Sequence, residues 1–247
     1  MKKIFTLTLV FVAYSFIAQT KLQPGDKSIE TKWIKSEKYA MKWYSVKDTT
    51  KVEMAKIITT IDAAKNKLAI VTDVEIKNAK AKWTDSTIVA KPTLVPLHHS
   101  SYNMQRDIVL NFDAKTVSGY HIAKGKEKDI INETLSNLCF DSSFYPYLLR
   151  LLPLKEGYTK EIAIFDYNPE KTGIFTARVK SVKSDIYKTK KGNLDVWAVI
   201  VDDELGGSTT NTTTNTMTYY IGKTDRKLWK QEFSSRGQHF VVEAAEL

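Results

Sequence analysis

Residues 143–157 form the one compact apolar segment in a chain whose other runs alternate apolar and polar side chains as β-strands do. Pro146 stands near its start, Pro153 at its end and Gly157 beyond, so the segment reads as a short buried helix with defined limits. Its apolar residues cover nearly the whole helical circumference, which predicts burial on all sides and not contact with a membrane. A lone apolar helix among strands fills the concave side of a sheet that curves around it. The expected fold is therefore mainly β: one large curved antiparallel sheet, an open barrel or clam, with one or two short helices.

The strand signal recurs from end to end. Residues 39–46 and 52–61 lead through the turn 62–67 into 68–76, and the pattern resumes at 106–112 and 117–122. After the helix come 158–167, 173–187, 194–201 and a final hairpin of 217–222 with 227–233, about a dozen strands in all. No Pro/Gly/Ser-rich linker or fixed-period repeat divides the chain, so residues 19–247 are expected to be one antiparallel β-domain. The polar run 206–216, rich in Thr and Asn, reads as a long hairpin loop or the rim of two paired strands.

Residues 1–18 have the layout of a secretory leader. Lys2 and Lys3 precede an apolar core too short to span a bilayer, and the chain turns polar at Gln19-Thr20-Lys21. Cleavage before Gln19 resembles leaders of flavobacteria and their relatives, with cleavage after Ser15 as the alternative. Export to the periplasm is the expectation, secretion its alternative. The chain ends soon after the last strand signal, with no separate C-terminal sorting domain in view, which favours the periplasm. Once the leader is removed, no stable membrane span is expected. No cysteine stands near the junction, so lipoprotein processing is not expected. Cys139, the single cysteine, cannot form an intramolecular disulfide, and its setting Leu138-Cys139-Phe140 is that of a buried, unreactive thiol. The formal charge of +9 falls to +7 as Lys2 and Lys3 leave with the leader. Lysines spread along strands and turns protect sheet edges and suit an anionic envelope surface. Nucleic acid is not an expected partner, because there is no arginine-rich helix and no RNA-binding aromatic motif.

Motifs for catalysis are few. The sequence contains no Gly-x-Ser-x-Gly, no His-Glu-x-x-His and no Gly-rich phosphate loop, so no catalytic residue, metal or cofactor is assigned. His98 and His99 on a strand would point to opposite faces and could not share an ion. Asp202-Asp203-Glu204 lacks the alternating oxygens of a calcium loop and reads as a charged strand end. Asp107, Asp113 and Asp166 are carboxylates available to a hydrolase, with nothing in the sequence to select them. Asp48-Thr49-Thr50 and Asp85-Ser86-Thr87 resemble O-glycosylation sites of Bacteroidetes. Aromatic residues, Trp43, Trp83, Trp197 and Trp229 among them, are spread over almost every strand. They serve core packing or line an apolar cavity with polar-tipped rings.

Three stretches carry a family resemblance. They are Leu152-Pro153-Leu154-Lys155-Glu156-Gly157, Val196-Trp197-Ala198-Val199, and the hairpin running from Tyr219-Tyr220-Ile221-Gly222 through Lys223-Thr224-Asp225-Arg226 to Lys227-Leu228. Together they resemble the DUF3108 type of exported protein of unknown function, with Gly222 where that family more often has an acid. More distantly the chain is similar to LolA/LolB-like lipoprotein carriers, whose curved sheet is closed by helices over a hydrophobic cavity. The resemblance implies a cup and no established ligand residues. With export and no catalytic signature, the leading expectation is a non-catalytic periplasmic protein that binds an apolar or amphipathic envelope ligand. Candidate ligand-binding residues are Phe144, Tyr145, Tyr147, Leu148, Trp197 and Tyr219. The alternatives are an envelope glycan or ester hydrolase and a structural or protein-interaction module.

Overall fold

The computed structural model describes residues 21–79, 82–190, 192–205, 215–235 and 237–246. The leader at 1–18 and most of the Thr/Asn-rich run lie outside the described residues. Alternation in the sequence becomes fifteen strands: β1 (Glu37–Lys47), β2 (Thr50–Ala63), β3 (Lys67–Ile76), β4 (Lys82–Ala90), β5 (Pro96–Tyr102), β6 (Arg106–Phe112), β7 (Thr116–Ala123) and β8 (Lys128–Thr134) before the helix. The short β9 (Phe140–Asp141) leads into helix α1 (Tyr145–Leu148), and β10 (Lys160–Asp166), β11 (Gly173–Thr189), β12 (Gly192–Asp203), β13 (Asn215–Gly222), β14 (Leu228–Ser235) and β15 (Gln238–Ala245) follow. All belong to one sheet in the order β8-β7-β6-β5-β4-β3-β2-β1-β15-β14-β13-β12-β11-β10-β9. Each half is a meander, and the first and last strands pair to join them, Trp43 opposite Val242. Every pairing of neighbouring strands is antiparallel except β9 with β10, where Phe140 lies beside Ile164 in parallel.

The expected curved sheet with one short helix is therefore what forms, as an open sheet with β8 and β9 at its ends. The apolar segment is shorter as a helix than its sequence suggests. One α-turn is followed directly by a 3-10 turn over Leu149–Leu151, and Pro153 then carries the chain into extended backbone. Phe144, Leu148, Leu149 and Leu152 are wholly buried in one core with Leu68 and Val89 of β3 and β4 and Val179 and Val199 of β11 and β12. The segment is thus the interior filling around which the sheet curls. None of the described helices is long and apolar enough to cross a membrane.

Strand β10 is buried on both faces, which its unbroken run Ile162-Ala163-Ile164-Phe165 reflects. Ile162 and Ile164 face the core around the helix. Ala163 and Phe165 join a second core with Ile108, Leu110 and Phe112 of β6. Phe112 and Phe165 meet edge to face with ring centres 5.6 Å apart. The sheet therefore rolls far enough for its β6–β8 end to lap over β10. At that seam β5 meets β9, and two polar side chains face each other there, His99 and Asp141.

Candidate functional site

The helix fills only part of the concave face. Beside Pro146 and Tyr147 the inward-pointing residues of β1–β4, β14 and β15 enclose a cavity of about 360 Å³. Its wall follows from strand periodicity. Tyr39, Met41 and Trp43 alternate inward along β1, and Ile57 and Thr59 face them from β2. Ile70, Thr72 and Val74 of β3 and Trp83, Asp85 and Thr87 of β4 continue the surface, and Phe233 and Val242 close it from the other half. Trp43 packs on Phe233 and Phe240 at ring distances of 6.3 and 5.9 Å.

Three polar atoms of lining residues, Trp43 Nε1, Thr87 Oγ1 and the Tyr147 hydroxyl oxygen, are buried without a hydrogen-bond partner among the described residues. Other lining groups are satisfied internally: Thr59 and Thr72 share a hydrogen bond of 3.3 Å, and Trp83 Nε1 donates to Asp85 at 2.8 Å. The cavity wall is thus mostly apolar and aromatic, with polar groups along β4 and at Ser143 and Gln231 in position to orient a guest.

Trp83, Asp85 and Ser143 also line a second space of about 160 Å³ at the β5–β9 seam. Here His99 Nδ1 lies 3.1 Å from Asp141 Oδ2, and both residues are buried. Ser142 Oγ donates to Asp166 at 2.7 Å, and Arg106 Nη1 donates to Ser101 Oγ at 2.9 Å. Burial works against a charged His99, yet the Asp141 charge and hydrogen bond outweigh it and hold the imidazole above the ordinary histidine range. Burial also raises Asp166; the Ser142 hydrogen bond offsets part of that rise and the Asp141 charge adds to it. Among the described residues no group of three or more His, Cys, Asp and Glu is arranged to hold a metal ion.

The six residues expected from sequence fall in different places. Tyr147 lines the large cavity. Phe144 and Leu148 lie in the core, Phe144 with its ring 6.3 Å from Phe140. Tyr145 and Tyr219 pack edge to face, and Tyr145 donates its hydroxyl to Asp203 at 3.3 Å. Burial, first of all, drives both phenols well above the tyrosine range. Trp197 is half-buried at the core margin, with Lys223 Nζ 4.4 Å from its ring centre. Most of the rest of the cavity wall comes from β1–β4, with β14 and β15 completing it; of its residues the sequence singled out Trp43 and Trp83 as aromatics. The inward alternation of Tyr39-Met41-Trp43 was the available signal.

Other expectations on single residues have clear positions. His98 and His99 do point to opposite faces: His98 is half-buried and hydrogen-bonds Asn111 of β6 at 2.9 Å, while His99 is buried against Asp141. Cys139 is buried, and burial pushes its thiol up to about 12. Asp202 pairs with Lys180 at 3.0 Å at the end of β12, as a charged strand end would. Of the two glycosylation-like sites, Thr50 is exposed beside the β1–β2 turn, whereas Thr87 is buried in the cavity wall.

With that geometry in hand, comparison with known proteins adds two findings. A family model described as "Protein of unknown function (DUF3108)" matches residues 38–243. Among solved structures, the chain is similar to a beta-barrel-like protein of domain of unknown function DUF1849 from Brucella abortus. That likeness has a TM-score of 0.53 at 6% identity and covers 85% of this chain and 96% of the other, so it speaks to the fold. No curated protein matches the chain.

Proposed function

We propose that the chain, which belongs to the DUF3108 family of proteins of unknown function, is an exported periplasmic protein that binds the apolar body of an amphipathic envelope ligand without transforming it. The observation that carries this reading is the cavity of about 360 Å³ beside Tyr147. Its volume falls in the range of small-molecule sites, and its wall is mostly apolar and aromatic. Trp43 Nε1 and Thr87 Oγ1 supply unspent hydrogen-bonding capacity in that wall. The leader at 1–18 supports the compartment, where amphipathic ligands are at hand.

The test is uptake by delipidated protein. N-phenyl-1-naphthylamine should gain fluorescence saturably and be displaced by decyl-chain amphiphiles. A signal no larger than that of an unrelated β-protein would remove the reading.

A second reading, hydrolysis of a glycan or ester, has one observation in its favour. Asp85, Asp166 and His99 line the small space at the β5–β9 seam, so two carboxylates and an imidazole face one cavity. Turnover of 4-nitrophenyl glycosides or esters that disappears in Asp166→Asn would favour it over simple binding.

A further inference from the structure

The large cavity and the smaller space at the seam are neighbours: Trp83, Asp85 and Ser143 stand in the walls of both. Groups of both charge signs stand there side by side. His99 is taken by Asp141, and Asp85 receives the Trp83 indole N–H. Asp166 receives the Ser142 hydroxyl, and the Arg106 guanidinium both faces Asp166 and bonds Ser101. An anionic head group drawn by Arg106 would also meet Asp85 and Asp166 in the same wall, and an ammonium drawn by those carboxylates would meet Arg106 and His99.

What remains is hydrogen-bonding capacity on fixed groups. His99 keeps Nε2, Arg106 keeps the N–H groups that Ser101 does not use, and Asp85 and Asp166 each keep one oxygen. Donors and acceptors alternate around one space with Trp83 and Tyr167 in its wall. A hydroxyl both donates and accepts, so a cluster of hydroxyls answers this mixture, while a carboxylate or ammonium answers half of it. A ring or chain of C–H groups between the hydroxyls suits the aromatic wall.

We propose that the seam space takes the neutral, hydroxyl-rich head of the amphiphile, a glycerol or hexose unit, while the large cavity takes its chain. This rests on the binding reading above and narrows it to a ligand class.

Four amphiphiles with ten-carbon chains separate the two claims when titrated calorimetrically below their micelle concentrations. They are decyl β-glucoside, 1-monodecanoylglycerol, decanoate and decyltrimethylammonium. At least one of the two polyol heads should bind about tenfold more tightly than both ionic ones, the equivalent of one or two net hydrogen bonds. Whichever polyol is preferred identifies the head as hexose or glycerol. Parity or preference for an ionic head overturns the assignment and leaves the cavity reading standing. Absence of heat with all four overturns both.

Arg106→Met is partly exposed and so spares the core, and Ser101→Ala is a milder companion. In both, polyol affinity should fall severalfold while uptake of N-phenyl-1-naphthylamine, which needs only the large cavity, persists. Polyol affinity that survives both substitutions places the head elsewhere and overturns the assignment.

Discussion

Arg150 sits inside the apolar segment with its side chain 3% exposed, where a guanidinium loses nearly all its hydration. Its Nε donates to the backbone carbonyl of Arg226, its Nη2 pairs with Glu37, and its plane lies 4.8 Å from the centre of the Tyr147 ring. Removing the arginine would leave Glu37 charged and nearly buried without its partner. Arg150→Ala should therefore lower unfolding stability by about 3–5 kcal/mol, measured as a fall in the urea midpoint at constant slope. His99 gives a pH-dependent counterpart. Its folded pKa lies above the ordinary 6.5, so the folded state binds this proton more tightly than the unfolded chain. Its stabilising contribution is complete below pH 6.5 and fades as pH rises through the raised value. Asp166, also raised, acts in the same direction at lower pH, because its proton too is held more firmly in the folded state. Urea midpoints of the wild type should fall between pH 6 and pH 8, and His99→Gln should flatten that slope. An unchanged slope would mean that the seam pair carries no linkage. Neither partner of these residues could be read from the sequence. Asp141 lies 42 positions from His99 and Glu37 lies 113 from Arg150, so only the rolled sheet brings them together.

At the scale of elements, the legible parts are those with a local cause. Alternation marked β1–β3, β6, β7 and β11–β14 to within a few residues, because each has one face on the core and one toward solvent. β10, expected at 158–167, forms over Lys160–Asp166 although its apolar run is continuous and not alternating, whereas β9 has two residues and no periodicity to detect. The helix was legible as burial but not in length, since burial on every side is equally well met by one α-turn and one 3-10 turn. Glycine use is also an element-level matter. A Cβ at Gly119 of β7 would fall on the backbone carbonyl of Val109 in β6, and a backbone atom in a sheet cannot swing aside. Gly119→Ala should cost about 1–3 kcal/mol as the two strands are forced apart, seen as a lower thermal midpoint. Gly222, where the family more often has an acid, differs in kind: a Cβ there would meet the Asp225 side chain, whose Oδ1 accepts the backbone N–H of Lys227. That carboxylate turns the hairpin from within its own loop.

Over the whole molecule, a fifteen-stranded sheet has two ways to bury its concave face: fill it with side chains or leave room for a guest. This chain does both. Residues 144–152 fill the region between β3–β4 and β11–β13, and the lap of β6–β8 over β10 closes a second core. The stretch under β1–β4, β14 and β15 stays open. Ile57, half-buried on β2 and facing this space, offers a direct choice between a packed core and a cavity. Ile57→Trp adds a large ring at that position. Where side chains already met at native density, the ring would force displacements costing about 1–3 kcal/mol, and a domain of this size would lose roughly 2–4 °C in thermal midpoint per kcal/mol. Where about 360 Å³ stands open, the ring is accommodated and brings new apolar burial, so the midpoint should hold or rise. The same substitution should abolish N-phenyl-1-naphthylamine uptake, because the ring occupies the volume the probe needs. Stability kept and binding lost is the pairing a working cavity requires, and a fall in both would identify the region as ordinary core.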